Sequence, residues 1–295
     1  MSISAESDAD QQERAVTDKV VASFDTTASP RLREVMQSLV RHLHAFARDV
    51  RLTQAEWEAG IEFLTRTGHI TDERRQEFIL LSDVLGLSML TVAINAPATA
   101  GATESTVYGP FFVDAAPEIP FGGDIAGGAS GTPCLVEGTV RSADGTPVRG
   151  ARIDVWEADD DGFYDVQYDG DRIAGRGWLR SDDDGRYRFW SVVPAPYPIP
   201  ADGPVGDLLT AAGRSPMRPA HLHFKVAAPG HRTLITHVFV AGDEHLDHDA
   251  VFGVKDSLVV DVVREGPGDA PDGTTRTEPW ARIRFDIVLA PDHEG

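Results

Sequence analysis

His221 and His223 stand two residues apart in "MRPAHLHFKV", and His42 and His44 repeat that spacing in "VRHLHAFA". Two imidazoles form half of a metal site, provided the backbone turns both rings the same way. On a helix, residues two apart point about 200° from each other. The chain around His42 has helical period, so that pair is expected on a surface. On a strand, residues two apart share a face, and Leu222, Phe224 and Val226 alternate with His221 and His223 as a core-facing set. Residue pattern alone balances this pair between metal ligation and ordinary strand histidines.

The partners available narrow the chemistry. "FKVAAPGHRTL" offers no glutamate, which a cupin-like site would want soon after the second histidine. His237, in "ITHVFV", could complete a three-histidine zinc site. Two tyrosines offer oxygen ligands instead. Tyr164 lies in "WEADDDGFYDVQ", just past a strand, and Tyr197 in "VVPAPYPIPADGPVG". There Pro194, Pro196, Pro198 and Pro200 each have φ fixed, which stiffens the loop and aims Tyr197. Taken singly, each tyrosine reads more readily as half-buried packing with a wet hydroxyl. The acidic runs "EADDDG" and "RSDDDG" resemble calcium loops, but Tyr168 and Ser191 stand where the closing glutamate belongs, so both are expected to be turns.

These residues need elements to position them. Residues 1–28 are polar and are expected to form a flexible tail. Ser29 caps a helix with Pro30 at its first position and an apolar stripe of Leu32, Val35, Met36, Leu39, Leu43 and Phe46. Thr53 and Glu56 form a capping box for a second helix, with Gly68 as its stop. A third helix is expected from about Thr71 to Asn95, with Phe78, Leu81, Leu85 and Met89 on one face. A Gly/Pro/Ala/Thr-rich linker, 95–133, leads to seven short strands of period two with no intervening helices, the pattern of a β-sandwich or barrel. The fold class is therefore α+β, mainly β: a flexible tail (1–28), a helical N-terminal domain (29–110) and a β-sandwich catalytic domain (111–295).

Composition removes other classes. Against 27 Lys+Arg stand 47 Asp+Glu, a formal net charge of −20, which argues against nucleic acid or an anionic membrane surface as partner. The single cysteine, Cys134, excludes an intrachain disulfide and any cysteine-based metal cluster. "MSISAESDADQQERAV" lacks a basic region and an apolar core, no apolar run reaches the roughly 18 residues of a spanning helix, and a cytoplasmic location is expected.

Taken together, "ARIDVWEADDDGFYD", "RGWLRSDDDGRYRFWSVVPAPYPIP" and "RPAHLHFKV", in that order, resemble the intradiol ring-cleaving dioxygenases. "RQEFILLSDVLGLSMLTVAIN" and "GATESTVYGPFFV" resemble the helical region of the same family, so the likeness covers about residues 30–290. Within the family, "LSDVLGLSML" and "AVFGVKDSLVVD" look most like the hydroxyquinol-cleaving members. The resemblance implies a non-haem Fe(III) held by Tyr164, Tyr197, His221 and His223. It also implies ring opening of hydroxyquinol by dioxygen between the two hydroxylated carbons, to 3-hydroxy-cis,cis-muconate or maleylacetate, in aromatic catabolism. Tyr197 would leave the metal and take up a proton as the substrate binds. Arg218 would stabilise charge on the ring. Leu80, Asp83, Val107, Tyr108, Gly109, Pro110, Ile199, Pro200 and Val251 would line the substrate, with Asp83 accepting a hydrogen bond from the third hydroxyl. His237 would stand behind the ligands, where catechol-type members commonly carry glutamine. A homodimer through the helical region, holding a phospholipid in an apolar tunnel, is implied as well. The chemistry of the donors agrees: a phenol of ordinary pKa about 10 ionises at neutral pH only beside a strong cation.

Three rivals remain at this point. One changes the substrate to catechol or a chlorocatechol. Another is a zinc hydrolase built on His221, His223 and His237. The third is a non-enzymatic β-sandwich binding module, without metal.

Overall fold

The computed structural model describes residues 8–72, 75–96, 99–168, 170 and 172–292. Its helices are α1 (Asp8–Ala22), α2 (Pro30–Asp49), α3 (Gln54–His69), α4 (Glu77–Val84), α5 (Leu87–Asn95) and α6 (Pro204–Ala211). The chain divides into two compact units, one up to Thr65 and one from Arg66 onward.

In the first unit the expected flexible tail is a helix. Residues 1–7 lie outside the described residues, but α1 packs on α2 through Thr17, whose hydroxyl lies 3.0 Å from His44 Nδ1 and accepts from Arg48 Nη1 at 2.8 Å. Polar composition concealed this contact, because its anchors are a threonine and a histidine rather than apolar residues. The ends of α2 and α3 follow the sequence. Leu32 N donates to Ser29 Oγ at 3.2 Å, and Thr53 N to Glu56 Oε2 at 2.8 Å. Gly68 is not the stop expected of it, because α3 runs on to His69. Along α2 the stripe of Leu32, Val35, Leu39, Leu43 and Phe46 is 42–55 % exposed.

The second unit opens with the expected third helix broken in two. Gly86, at φ +72°, ends α4 and starts α5 at a bend of 78°. Only glycine enters this left-handed region cheaply, and a continuous apolar period gives no sign of the break. The boundary expected at residue 110 also moves. Glu77 of α4 accepts a hydrogen bond from Val205 N of α6 at 3.1 Å, and Arg214 donates to Val84 O at 2.5 Å, tying α4 to the β region. The helix α6 itself was not expected among the strands.

Two sheets make a sandwich. One has the strand order Arg176–Arg180, Arg152–Trp156, His221–Ala227, Leu234–Val240, Val259–Val260. The other is built on the long strand Pro133–Ser142, which pairs with Arg186–Val192 and, in parallel, with Trp280–Arg284 and then Ile287–Leu289. At the step between those two, a Cβ on Gly138 would lie 1.8 Å from Phe285 O, so only glycine fits. The apolar run "LVVDVVRE", whose pattern reads as one strand, is divided at Asp261. Val259–Val260 closes the first sheet and Val262–Glu265 the second. Arg176–Arg180 was not foreseen as a strand.

Between the sheets pack Val136, Ile153, Val155, Phe189, Leu222, Phe224, Val226, Val238 and Ile283. Each fully buried side chain of this size contributes about 1.5–3 kcal/mol relative to exposure. Leu222, Phe224 and Val226 face this core, so the pleat turns His221 and His223 to the opposite face. That face is buried too. Phe111, Trp156, Ala158, Tyr164 and Tyr197 form a second cluster, with Tyr108 and Phe112 packed against it.

Candidate metal centre and substrate pocket

Each of the four expected ligands is aimed by its own piece of local structure. His221 and His223 share a face of one strand, and His223 is in register with Trp156 on one side and His237 on the other. Tyr164 follows a tight turn in which Asp159 Oδ1 accepts from Asp161 N and Phe163 N, the solvated turn expected of "EADDDG". Gln167 Oε1 accepts from Tyr164 N at 2.9 Å and fixes the exit from that turn. Tyr197 belongs to a two-residue strand in register with Arg218, which sets the guanidinium beside the phenol.

The four side chains converge. Tyr164 Oη lies 2.7 Å from His223 Nε2 and 3.0 Å from Tyr197 Oη, and Tyr197 Oη lies 3.4 Å from His221 Nε2. His221 Nδ1 donates to Pro219 O at 2.7 Å, which fixes its tautomer and leaves the Nε2 lone pair turned to the phenols. The ring of Trp156 stacks on His223 at 4.6 Å and 14°. Gly109, at φ +74°, closes the other side: a Cβ there would come within 3.0 Å of His223 Cε1.

Electrostatics make this a place for a cation. Burial, followed by the Arg218 charge, pushes His221 down to about 3, and burial likewise holds His223 and His237 far below the ordinary imidazole value. All three are neutral at pH 7, with lone pairs to give. Burial raises both phenols; Tyr197 pushes Tyr164 further up, whereas Arg218 pulls Tyr197 back down. Two buried phenols hydrogen-bonded to two neutral imidazoles are also, once the phenols lose their protons, a donor set for a multivalent ion. His237 is the third imidazole: the rings of His221, His223 and His237 bring ligand atoms within 4.8 Å of one another. His237 Nδ1 lies 3.0 Å from Thr106 Oγ1, and its ring centre is 4.2 Å from that of His223.

Two family models match the chain. A "Dioxygenase" model matches residues 107–291, and a "Catechol dioxygenase N terminus" model matches residues 29–103. The chain belongs to the intradiol ring-cleaving dioxygenases. It is 64% identical to a hydroxyquinol 1,2-dioxygenase of Nocardioides simplex over 290 residues, 98% of each chain. The crystal structure of a hydroxyquinol 1,2-dioxygenase from Pseudomonas putida DLL-E4 superposes with a TM-score of 0.89 at 46% identity, covering 96% of this chain and 100% of that one. A catechol 1,2-dioxygenase from Pseudomonas arvilla C-1 follows at 0.82 and 28%, covering 100% and 95%. Membership of this family sets aside the zinc hydrolase and the binding module.

Beside the centre of this intradiol dioxygenase lies a cavity of about 560 Å³. Leu80, Pro110, Ile199 and Pro200 line it, together with Phe111, Phe163 and Val166. Val107, Tyr108, Gly109, Asp83 and Val251 are not among its walls. Val107, Asp83 and Val251 are buried, and burial raises the Asp83 carboxyl above its ordinary value. Arg214 links the two stretches that bear Asp83 and Val251, donating to Val84 O and, at 3.1 Å, to Ala250 O.

Several residues around the site escaped the sequence reading. Phe111 stacks on Tyr164 at 4.5 Å, and its carbonyl accepts from Arg176, which is itself ion-paired with buried Asp165. Asp249 is the most consequential. Its Oδ1 accepts from Arg218 Nε at 3.0 Å and its Oδ2 from Nη2 at 3.3 Å. Burial alone would raise this carboxyl, but the Arg218 charge and the Gly253 N–H hold it below its ordinary value. One acidic residue among 47 carries no periodic or spacing signal of such a role.

Proposed function

We propose that the chain opens hydroxyquinol between its 1- and 2-hydroxyl carbons with dioxygen, at a non-haem Fe(III) held by Tyr164, Tyr197, His221 and His223. The convergence of two phenol oxygens with two neutral imidazole nitrogens is the observation that carries this reading. Hard anionic oxygens favour the ferric state, and zinc gains nothing from them. When bound, the ferric ion supplies a chelation point for the diolate and draws electron density from its ring, opening that ring to dioxygen.

The remaining steps belong to side chains. Tyr197 Oη, as phenolate, would be the proton acceptor for an incoming substrate hydroxyl, an exchange that leaves it a neutral phenol. Its position between His221 Nε2 and the Arg218 guanidinium supports that exchange. Arg218, buried with its Nη1 3.1 Å from His221 Nε2, faces the charge that develops on the ring. Leu80, Pro110, Ile199 and Pro200, which line the cavity, form the outer part of the substrate wall, and Val107, Tyr108, Gly109 and Val251, outside that cavity, complete it nearer the metal. Asp83 accepts from the third hydroxyl, which favours hydroxyquinol over catechol and chlorocatechols. His237 holds the back of His223, with Thr106 setting its ring.

The partner in solution is a second copy of the chain. The exposed stripe of α2 and, separately, Leu87, Leu90 and Ile94 of α5, each at least 56 % exposed, are the apolar faces a homodimer would cover. A phospholipid in an apolar tunnel of the helical region is the further expectation, checked by organic extraction and mass spectrometry. Among the described residues no single helix is long and apolar enough to cross a membrane.

The deciding experiment is a visible absorption spectrum of the purified protein, before and after anaerobic addition of hydroxyquinol. The expected result is a tyrosinate-to-Fe(III) band that moves to longer wavelength on addition. A colourless protein that takes up no iron on reconstitution would overturn the reading.

A further inference from the structure

The loop 249–253 touches the site at three points. Asp249 grips one edge of the Arg218 guanidinium through two nitrogens, Nε and Nη2. The same carboxylate accepts from the backbone, Oδ1 from Val251 N at 3.2 Å and Oδ2 from Gly253 N at 2.8 Å. Gly253 completes the arrangement: a Cβ there would lie 3.1 Å from Asp249 Oδ2, 3.3 Å from Arg218 Nη2 and 3.4 Å from His237 Nδ1. Arg218 and Asp249 are 3 % and 2 % exposed at their side chains, so no water competes for the pair.

A guanidinium has five N–H donors in one rigid plane. With the Nε/Nη2 edge held by the carboxylate, Nη1 on the other side is turned to the ligand cluster, where it hydrogen-bonds His221 Nε2 at 3.1 Å. We infer that Asp249 is a positioning residue for ring cleavage: it fixes the plane of Arg218, aims Nη1 at the reacting ring, and ties that aim to the placement of Val251. The inference rests on the iron-centre reading above. A buried ion pair adds little net stability against an apolar replacement, so geometry, not stability, is its function here. Removing the carboxylate leaves Arg218 present and charged but free to swing.

The test compares Asp249→Asn, Arg218→Gln and the double variant, all iron-loaded. Asp249→Asn is expected to lower kcat for hydroxyquinol about tenfold or more, with a smaller change in KM. Its iron content and resting absorption band should match the unaltered protein, while the band of the anaerobic substrate complex shifts. In the double variant the Asp249 change should add almost nothing to the Arg218→Gln loss, because it acts through Arg218. Additive losses, or an Asp249→Asn enzyme with unaltered kcat and substrate-complex band, would overturn the inference. Should Asp249→Asn fail to fold, Asp249→Glu keeps the charge but displaces it by one methylene: a folded, iron-loaded enzyme of reduced kcat supports the inference, and unaltered kcat overturns it. An unaltered protein without iron or colour would overturn the iron reading and this inference with it, whereas a coloured, active protein indifferent to Asp249 overturns this inference alone.

Discussion

Gly162 lies directly against Tyr197: a Cβ at residue 162 would stand 2.7 Å from the tyrosine Cβ. The glycine also sits at φ +83°, in the turn that launches Tyr164. One residue without a side chain thus lets two tyrosine-bearing segments, 33 positions apart at their tyrosines, meet at 3.0 Å between their hydroxyl oxygens.

Gly162→Ala is accordingly expected to separate the phenols. Left-handed φ costs about 1 kcal/mol for alanine, before any clash. The variant should melt only a few degrees lower, yet lose most of its bound iron, measured by metal analysis and by the intensity of the tyrosinate band. Full iron occupancy would show that the loops can part without loss of the centre.

Asp83→Ala tests selectivity. A hydrogen bond to a charged acceptor is worth about 1.5–3 kcal/mol, or roughly 10–150-fold in kcat/KM. Hydroxyquinol turnover should fall by that order and catechol turnover much less. Equal losses with the two substrates would refute the contact.

Tyr197→Phe separates proton transfer from metal binding. Tyr164, His221 and His223 remain as donors, so iron should stay bound with a weakened resting band. The kcat should fall by about 100-fold or more, the usual scale of a lost acid–base group. Stopped-flow comparison of anaerobic substrate binding with turnover distinguishes slow binding from slow cleavage.

Glu157 gives a prediction about pH. Burial pushes its carboxyl up to about 8 from an ordinary 4.5, against opposing hydrogen bonds from Ser191 and Val192 N. The folded state therefore keeps a proton that the unfolded chain has lost. The stabilisation is complete below the unfolded value and is lost as pH rises through the folded one, at about 1.4 kcal/mol per unit at most. Glu157→Gln, neutral at every pH, should match the unaltered protein near pH 5 and exceed it in denaturant midpoint above pH 8. Parallel stability curves for the two proteins would show that Glu157 does not titrate in this way.

The legibility of this chain divides along the length scale of the interactions. Local rules sufficed for the caps at Ser29 and Thr53, for the opposite fates of the two His-Leu-His triplets, and for turns at the acidic runs. Each depends on a few neighbouring residues and on a backbone period. They failed where a local pattern was ambiguous. The period across Leu85 and Leu87 reads as one helix, and only the φ of Gly86 makes it two. A polar segment such as Asp8–Ala22 reads as a tail until a partner helix offers Thr17 its hydrogen bonds.

For the site, the long motifs that carry the family resemblance single out Tyr164, Tyr197, His221 and His223, and the structure brings these four side chains together. The sequence by itself determined which donors exist, that His221 and His223 share one side of a strand, and that their opposite face is core. Only the tertiary structure decided what covers those histidines, how near the phenols come, and that Asp249 holds Arg218. Strand periodicity relates residues on one element, whereas these contacts join segments 24 to 59 residues apart, and nothing in a linear pattern states where two distant segments will meet.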